Sequence, residues 1–162
     1  MIDFEEMRNY IVTAIQSALK LPVVRANQTA EPPDGDYIGY TVITPMKTNN
    51  GTYSEYVKDG KKYYGKEFQQ IWSFTAYSTN DLRSKNIAFA LYDFLDRIGI
   101  TGLSDNRIAV QTIGDITNRD NLLSTGYEYR NGFDVTFNLL NEIEDKSGEV
   151  IDVFEYSYNV SN

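Results

Sequence analysis

Three stretches of this chain repeat with a period of two residues, and that period constrains the fold more than any other feature. From Tyr37 to Thr44, the residues Ile38, Tyr40 and Val42 fall on one side, and Tyr37, Gly39, Thr41 and Ile43 on the other. From Gln69 to Tyr77, the residues Gln70, Trp72, Phe74 and Ala76 oppose Ile71, Ser73, Thr75 and Tyr77. From Tyr129 to Leu139, the residues Phe133, Val135, Phe137 and Leu139 alternate with Asp134, Thr136 and Asn138. Successive side chains of a strand point to opposite faces of a sheet, so all three read as strands. The last has one buried and one wet face. Pro45 is expected to end the first, because proline cannot donate to a strand ladder. Shorter extended pieces are predicted at Val23 to Arg25 and at Arg107 to Ile113.

Two segments carry the helical period instead. Phe4, Met7, Ile11, Ile15, Ala18 and Leu19 recur at steps of three and four, which makes a core-facing stripe. Asp3 is placed to cap this helix, with Glu6 completing a capping-box-like pair. Pro22 stops it. The cluster Ser78-Thr79-Asn80-Asp81 predicts a second helix start. Its stripe is Ile87, Ala88, Leu91, Phe94, Leu95 and Ile98, and Gly99 is its expected stop. The helices and strands together predict an α+β fold, with two amphipathic helices packed on one face of a mixed or mainly antiparallel sheet. A chain of 162 residues fits one domain, 1–162.

Residues 46–70 differ from the rest. They are polar, rich in Tyr and Lys, and hold turn signals at Asn50-Gly51 and Asp59-Gly60. Asp-Gly between Tyr53, Tyr56 and Val57 on one side and Tyr63 and Tyr64 on the other predicts a β-hairpin. Its second arm is expected to run on into the Gln69 to Tyr77 strand. A two-stranded ribbon without an apolar face is marginal alone in water. Such a hairpin, 51–66, is therefore a mobile flap, an arm that orders against a partner, or a solvated extension of the sheet. Its lysines Lys58, Lys61, Lys62 and Lys66 stand out in a chain of net charge -8.

Composition removes whole classes of chemistry. The chain has no cysteine and no histidine. Disulfides, cysteine nucleophiles, Cys-rich zinc sites and Ser-His-Asp triads are all excluded. Carboxylate-only catalysis and oxygen-ligand cation sites survive. The acidic balance argues against gripping nucleic acid by its phosphates. The acidic N-terminus lacks a signal-peptide layout, and no run is long and apolar enough to span a membrane, so the expectation is a chain made in a cytoplasm. No phosphate loop, dinucleotide glycine motif or nucleophile elbow is present, and no cofactor is implied.

Gly114 to Gly132 reads as a long polar connection. Asp115, Asp120 and Glu128 lie within it, but their spacing matches no known cation loop, and Arg119 sits among them as a competing partner. The 141–162 segment is acidic, with six acids against Lys146 alone. Within it, Val150, Ile151, Val153, Phe154, Tyr156 and Tyr158 suggest a final strand or a docking segment.

The runs Leu21-Pro22-Val23-Val24-Arg25-Ala26-Asn27-Gln28, Pro32-Pro33 and Tyr37-Ile38-Gly39-Tyr40-Thr41-Val42-Ile43-Thr44-Pro45 resemble the first half of phage neck/tail terminator proteins. These are also called tail completion or head–tail joining proteins. Trp72-Ser73-Phe74-Thr75-Ala76-Tyr77-Ser78, Asn118-Arg119-Asp120-Asn121-Leu122-Leu123 and Tyr127-Glu128-Tyr129-Arg130-Asn131-Gly132-Phe133-Asp134-Val135 resemble the second half. The resemblance reaches to about Leu140. It implies a non-enzymatic virion protein with a curved sheet flanked by helices. It further implies a ring of copies of this chain, usually hexameric, that caps the tail tube and joins the neck connector. DNA passes through such a ring without specific binding. The implied location is the tail or neck of a virion assembled in a host cytoplasm.

On that resemblance, Tyr53, Tyr56, Lys58, Lys61, Lys62, Tyr63 and Tyr64 become the main candidates for a subunit interface. Asn118, Arg119 and Asp120 look like signature residues. Either Arg119 pairs with a neighbour's carboxylate, or Asn118 and Asp120 fold the loop on itself. The alternatives are a tail-tube or baseplate ring subunit, and a carboxylate-dependent hydrolase or carbohydrate-binding module.

Overall fold

The computed structural model describes residues 3–48, 51–124 and 126–147. The segment from Val150 to Tyr158, and Asn50 of the Asn50-Gly51 turn, lie outside the described residues.

Helix α1 (Phe4–Leu19) begins where Asp3 accepts hydrogen bonds from the backbone N–H groups of Glu5 and Glu6. Lys20 closes it in the left-handed conformation, and its N–H donates to the Gln16 carbonyl. Met7, Ile11 and Ile15 bury the middle of the stripe, while Phe4 and Ala18 stay exposed. Strand β1 (Val23–Arg25) then pairs parallel to β2 (Tyr37–Thr48). Strand β3 (Ser54–Lys58) and the 18-residue β4 (Lys61–Ser78) form the hairpin. Asp59 and Gly60 have φ of 52° and 74°. Both are left-handed, as the tightest hairpin turn requires, which explains glycine here.

Helix α2 (Asp81–Asp93) is capped by the Asn80 side chain, which accepts from Arg83 N–H at 2.9 Å. The chain then widens into a π-helical turn over Phe94–Ile98, and Gly99 N–H donates to the Phe94 carbonyl at 2.7 Å. That wider turn rotates the following residues off the stripe. Ile98, expected in the core, is 74% exposed. Gly99 ends that helical run as expected, and a separate short helix, α3 (Ile100–Asp105), follows directly and buries Leu103.

Strands β5 (Ile108–Ile113), β6 (Thr117–Asn118), β7 (Asn121–Leu123) and the 19-residue β8 (Gly126–Glu144) complete the sheet. The order is β1-β2-β4-β8-β5, with β3 on β4 and β6 and β7 on β8. Among the described residues only the β1–β2 pair is parallel, so the sheet is mixed but mainly antiparallel. The fold is the α+β class expected, with three α-helices among the described residues where the sequence predicts two.

Three further expectations change. First, Pro45 does not end β2. Its strand runs to Thr48 across two register shifts, between Val42 and Thr44 and between Thr44 and Lys47. Strand β1 reaches only to Tyr40, so the missing N–H of Pro45 falls in a bulge on an otherwise unpaired edge, where proline is tolerated. Second, Gly114 to Gly132 is not one long loop. It holds β6, β7 and the first residues of β8, whose polar side chains hid an alternating ribbon. Third, the hairpin is three-stranded over most of its length, because β8 continues past Leu139 and pairs Gly65 with Glu142, Tyr64 with Ile143 and Tyr63 with Glu144, which leaves the tip, 57–62, two-stranded.

The core lies between the helices and one sheet face. Trp72, Phe74, Phe133, Val135 and Phe137 are fully buried there. The Trp72 ring stacks on Tyr40 at 5.2 Å and meets Phe137 edge-on at 5.8 Å. Its indole N–H would be stranded in this setting. The buried Gln70 accepts from it at 2.9 Å, which explains a glutamine in an apolar register.

Candidate functional site

The candidate residues separate into two groups at opposite ends of the β4–β8 ladder. The first is the hairpin arm. Tyr56 and Tyr63 stack across the strands at 6.0 Å, and Lys66 lies over the Tyr53 ring at 5.2 Å. The Tyr56 hydroxyl donates to Glu142, which also binds Arg107. The bond from Tyr56, then that from Arg107, holds the Glu142 carboxyl below its usual range, and the same bond pushes the Tyr56 phenol up. Tyr64 donates to Asp145 at 2.9 Å, and Lys62 lies over its ring. Lys61 pairs with Glu144 at 3.0 Å, and Lys62 with Glu55 at 3.1 Å. The β8 end thus neutralises part of the arm's lysine cluster. Lys58 and Val57 remain at the tip, with Val57 71% exposed. Lys58 makes no ion pair among the described residues.

The second group sits on the sheet face away from the helices. Arg119 lies across Gly132. Its guanidinium donates to Ser73 Oγ at 2.8 Å, Thr75 Oγ1 at 3.0 Å and Asp134 at 3.2 Å. Asn118 Nδ2 donates to Asp120 at 2.8 Å, and the Asp120 N–H donates back to Asn118 at 2.9 Å. Asp120 also accepts from Arg130 N–H at 2.7 Å. Asn118, Arg119 and Asp120 therefore pin the β6 turn onto β8 within one chain. Gly132 makes this possible. A β-carbon there would lie 2.8 Å from the Arg119 guanidinium and 2.3 Å from the Phe74 carbonyl oxygen.

Beside them, Tyr37 and Tyr77 stack at 4.5 Å and nearly coplanar, with Arg130 over the Tyr77 ring at 5.1 Å and bound to Glu128 at 2.6 Å. Burial, then the nearby Glu128 charge, pushes the Tyr37 phenol up to about 12, and burial pushes Tyr77 up as well. A cleft of about 460 Å³ opens there, walled by Pro32, Pro33, Tyr37 and Tyr77 and rimmed by Glu31, Asp34 and Glu128.

Sequence reasoning did not single out Tyr37, Tyr77, Glu128 and Arg130 as a unit. Their only signal was Tyr at matching places on two strands, and the stack needs the register that pairs Tyr37 with Tyr77. The Glu142 link to Tyr56 was hidden for the same reason.

A larger cleft, about 520 Å³, lies between α1 and the arm's base and holds Glu6, Glu142 and Glu144. Glu142 is held ionised there, the reverse of what a glycosidase general acid needs. Among the described residues no acidic cluster suits a metal ion. Among them, too, no helix is long and apolar enough to cross a membrane.

Comparison with curated proteins gave no match. The family described as phage neck terminator protein matches residues 9–162, nearly the whole chain. The chain belongs to that phage neck terminator family, a family of structural neck proteins and not an enzyme class, and its role is structural, in the neck and tail of a phage.

Proposed function

We propose that copies of this chain assemble into a ring, hexameric in the usual form, that closes the tail tube and joins it to the head connector. DNA passes through the lumen. The reading is carried by the arm. The β3–β4 hairpin extends beyond the core, its tip presents Val57 to solvent, and Lys58 and Lys61 stand directly opposite each other across it. Like charges opposite each other on a ribbon are unfavourable. An isolated subunit gains little from that tip, whereas a neighbouring subunit offers it a surface. The net charge of -8 also suits a lumen wall that repels phosphates, so that DNA slides without sticking.

The test is an in-register trim. Removing Val57, Lys58, Lys61 and Lys62 brings Tyr56-Asp59-Gly60-Tyr63 into the same turn and keeps every side chain on its face. The lost surface ion pairs are worth at most about 1 kcal/mol each, so the fold is expected to survive. Light scattering and electron microscopy, with and without purified tail tubes, should show rings for the full chain and none for the trimmed one. Rings from the trimmed chain would overturn the arm reading. A strictly monomeric full chain in the presence of tubes and connectors would overturn the ring itself.

A further inference from the structure

We infer that the arm tip of one copy docks in the Tyr37–Tyr77 cleft of the next copy, with Lys58 facing Glu31 and Asp34. This rests on the ring reading above and names the surface that receives the arm.

The two surfaces complement each other chemically. At the tip, Lys61 pairs with Glu144 and Lys62 with Glu55, while Lys58, which feels the Glu142 charge but makes no ion pair among the described residues, stands beside the exposed Val57. In the cleft, Glu128 is occupied by Arg130, and the neighbouring Asp36 by Ser78 and Arg83. Glu31 and Asp34 are exposed and make no ion pair among the described residues, so the cleft keeps surplus negative charge. Its walls are two stacked tyrosines and two prolines, flat apolar surfaces that suit a valine and the aliphatic stem of a lysine. A cationic group near a tyrosine face gains further attraction. The volume of about 460 Å³ is in the range of clefts that enclose a bound group.

Geometry decides that the occupant is a second copy. Lys61 and Tyr77 are the two ends of one strand, 16 residues apart, or roughly 50 Å at the rise of extended chain. That strand is locked to β8 along an unbroken register from Tyr63 to Ser78. The tip cannot fold back to the cleft of its own chain. Between copies the contact joins two different patches, and such head-to-tail contacts repeat into a ring when the rotation closes.

The test uses charge reversal at exposed positions. Lys58→Glu alone, and Glu31→Lys with Asp34→Lys alone, should each weaken assembly about tenfold or more in light scattering with tail tubes, at unchanged thermal stability. Combining the arm and cleft changes in one chain, or mixing the two variants in equal amounts, should restore it, because each reversed arm then meets a reversed cleft. Glu31→Gln with Asp34→Asn, a milder change, should weaken assembly less and serves if the reversed cleft melts early. Assembly untouched by the cleft variants, or not restored by the combination, overturns the inference. If the cleft variants assemble normally while the trimmed arm does not, only this docking site falls. If the trimmed arm assembles, the arm reading falls with it.

Discussion

Replacing Gly132 by alanine tests how tightly the two central strands and the Asn118-Arg119-Asp120 turn are built together. The added methyl would lie 2.3 Å from the Phe74 carbonyl oxygen, 2.8 Å from Arg119 Nη1 and 2.9 Å from Thr75 Oγ1. Ordinary carbon–oxygen contacts sit near 3.3–3.6 Å, so a shift of about 1 Å is needed. Strand β4 cannot supply it cheaply, because it is paired to β8 on one side and β2 on the other. Overpacking of this kind costs about 1–3 kcal/mol. Displacing Arg119 also disturbs its bonds to Ser73 and Thr75, which count for less than buried ones because the guanidinium is partly exposed. A total near 3 kcal/mol is expected, and a melting temperature lower by about 6–12 °C. Equilibrium urea unfolding measures the first and calorimetry the second. Adding Arg119→Ala to Gly132→Ala separates the contacts. The carbonyl wall is closer than the guanidinium, so removing Arg119 should recover less than half of the loss. A loss below about 1 kcal/mol, or full recovery with Arg119→Ala, would refute the claim that the backbone approach requires glycine here.

Two further outcomes follow from buried and half-buried polar groups. Ser84 is fully buried, donates to the Ala76 carbonyl at 3.0 Å and accepts from Asn131 at 3.0 Å. Ser84→Ala strips the buried Asn131 amide of its acceptor and the Ala76 carbonyl of its second donor, and should cost about 2 kcal/mol in urea unfolding, whereas a value near zero would mean that water takes the hydroxyl's place. Glu142, Asp36 and Asp145 have carboxyls held below their usual range in the folded chain. Their contribution is present above the unfolded carboxylate range and is lost as pH falls through the lower folded values. Glu142→Gln should therefore lower stability at neutral pH and leave it nearly unchanged in acid, which flattens the acid limb of a stability–pH curve by that same amount. An unchanged acid limb would mean that the Tyr56 and Arg107 contacts do not stabilise the ionised form.

What could be read from the sequence followed from short-range periodicity. The alternation of Trp72 and Phe74, and of Phe133 to Leu139, marks a buried face directly, because a one-residue slip would expose all of it. Asp59-Gly60 and Asp3 act within a few residues and needed no tertiary information. Thr117 to Arg130 failed because no buried face marks it. Leu122, Leu123 and Tyr127 lie exposed, and what holds these short strands extended is a local ribbon of β6 and β7 with the first residues of β8, together with the Arg119 bonds. Pro45 was misread because its meaning depends on where β1 stops. Ile98 left the core through a π turn that the apolar spacing does not encode. The candidate site was legible as an unusual Tyr/Lys hairpin, but not as an arm tied by Glu142 and Asp145, since those acids reach it only through the β4–β8 register.

Strand β4 is longer than the core requires. Its buried side chains run from Phe68 to Ser78, and the stretch from Lys61 to Glu67, where Gly65 alone is buried, is held extended by β3 and the end of β8. The arm offers stacked tyrosines and surface ion pairs but no aliphatic cluster, so its tip adds little to the fold that carries it. A contact that buried Val57 and gave Lys58 a carboxylate would add to it without reshaping the rest. Because the same two strands run unbroken from the arm to the Tyr37–Tyr77 cleft, the core that sets their register also fixes the distance between the two surfaces. That fixed span suits a part that works by tiling with its neighbours.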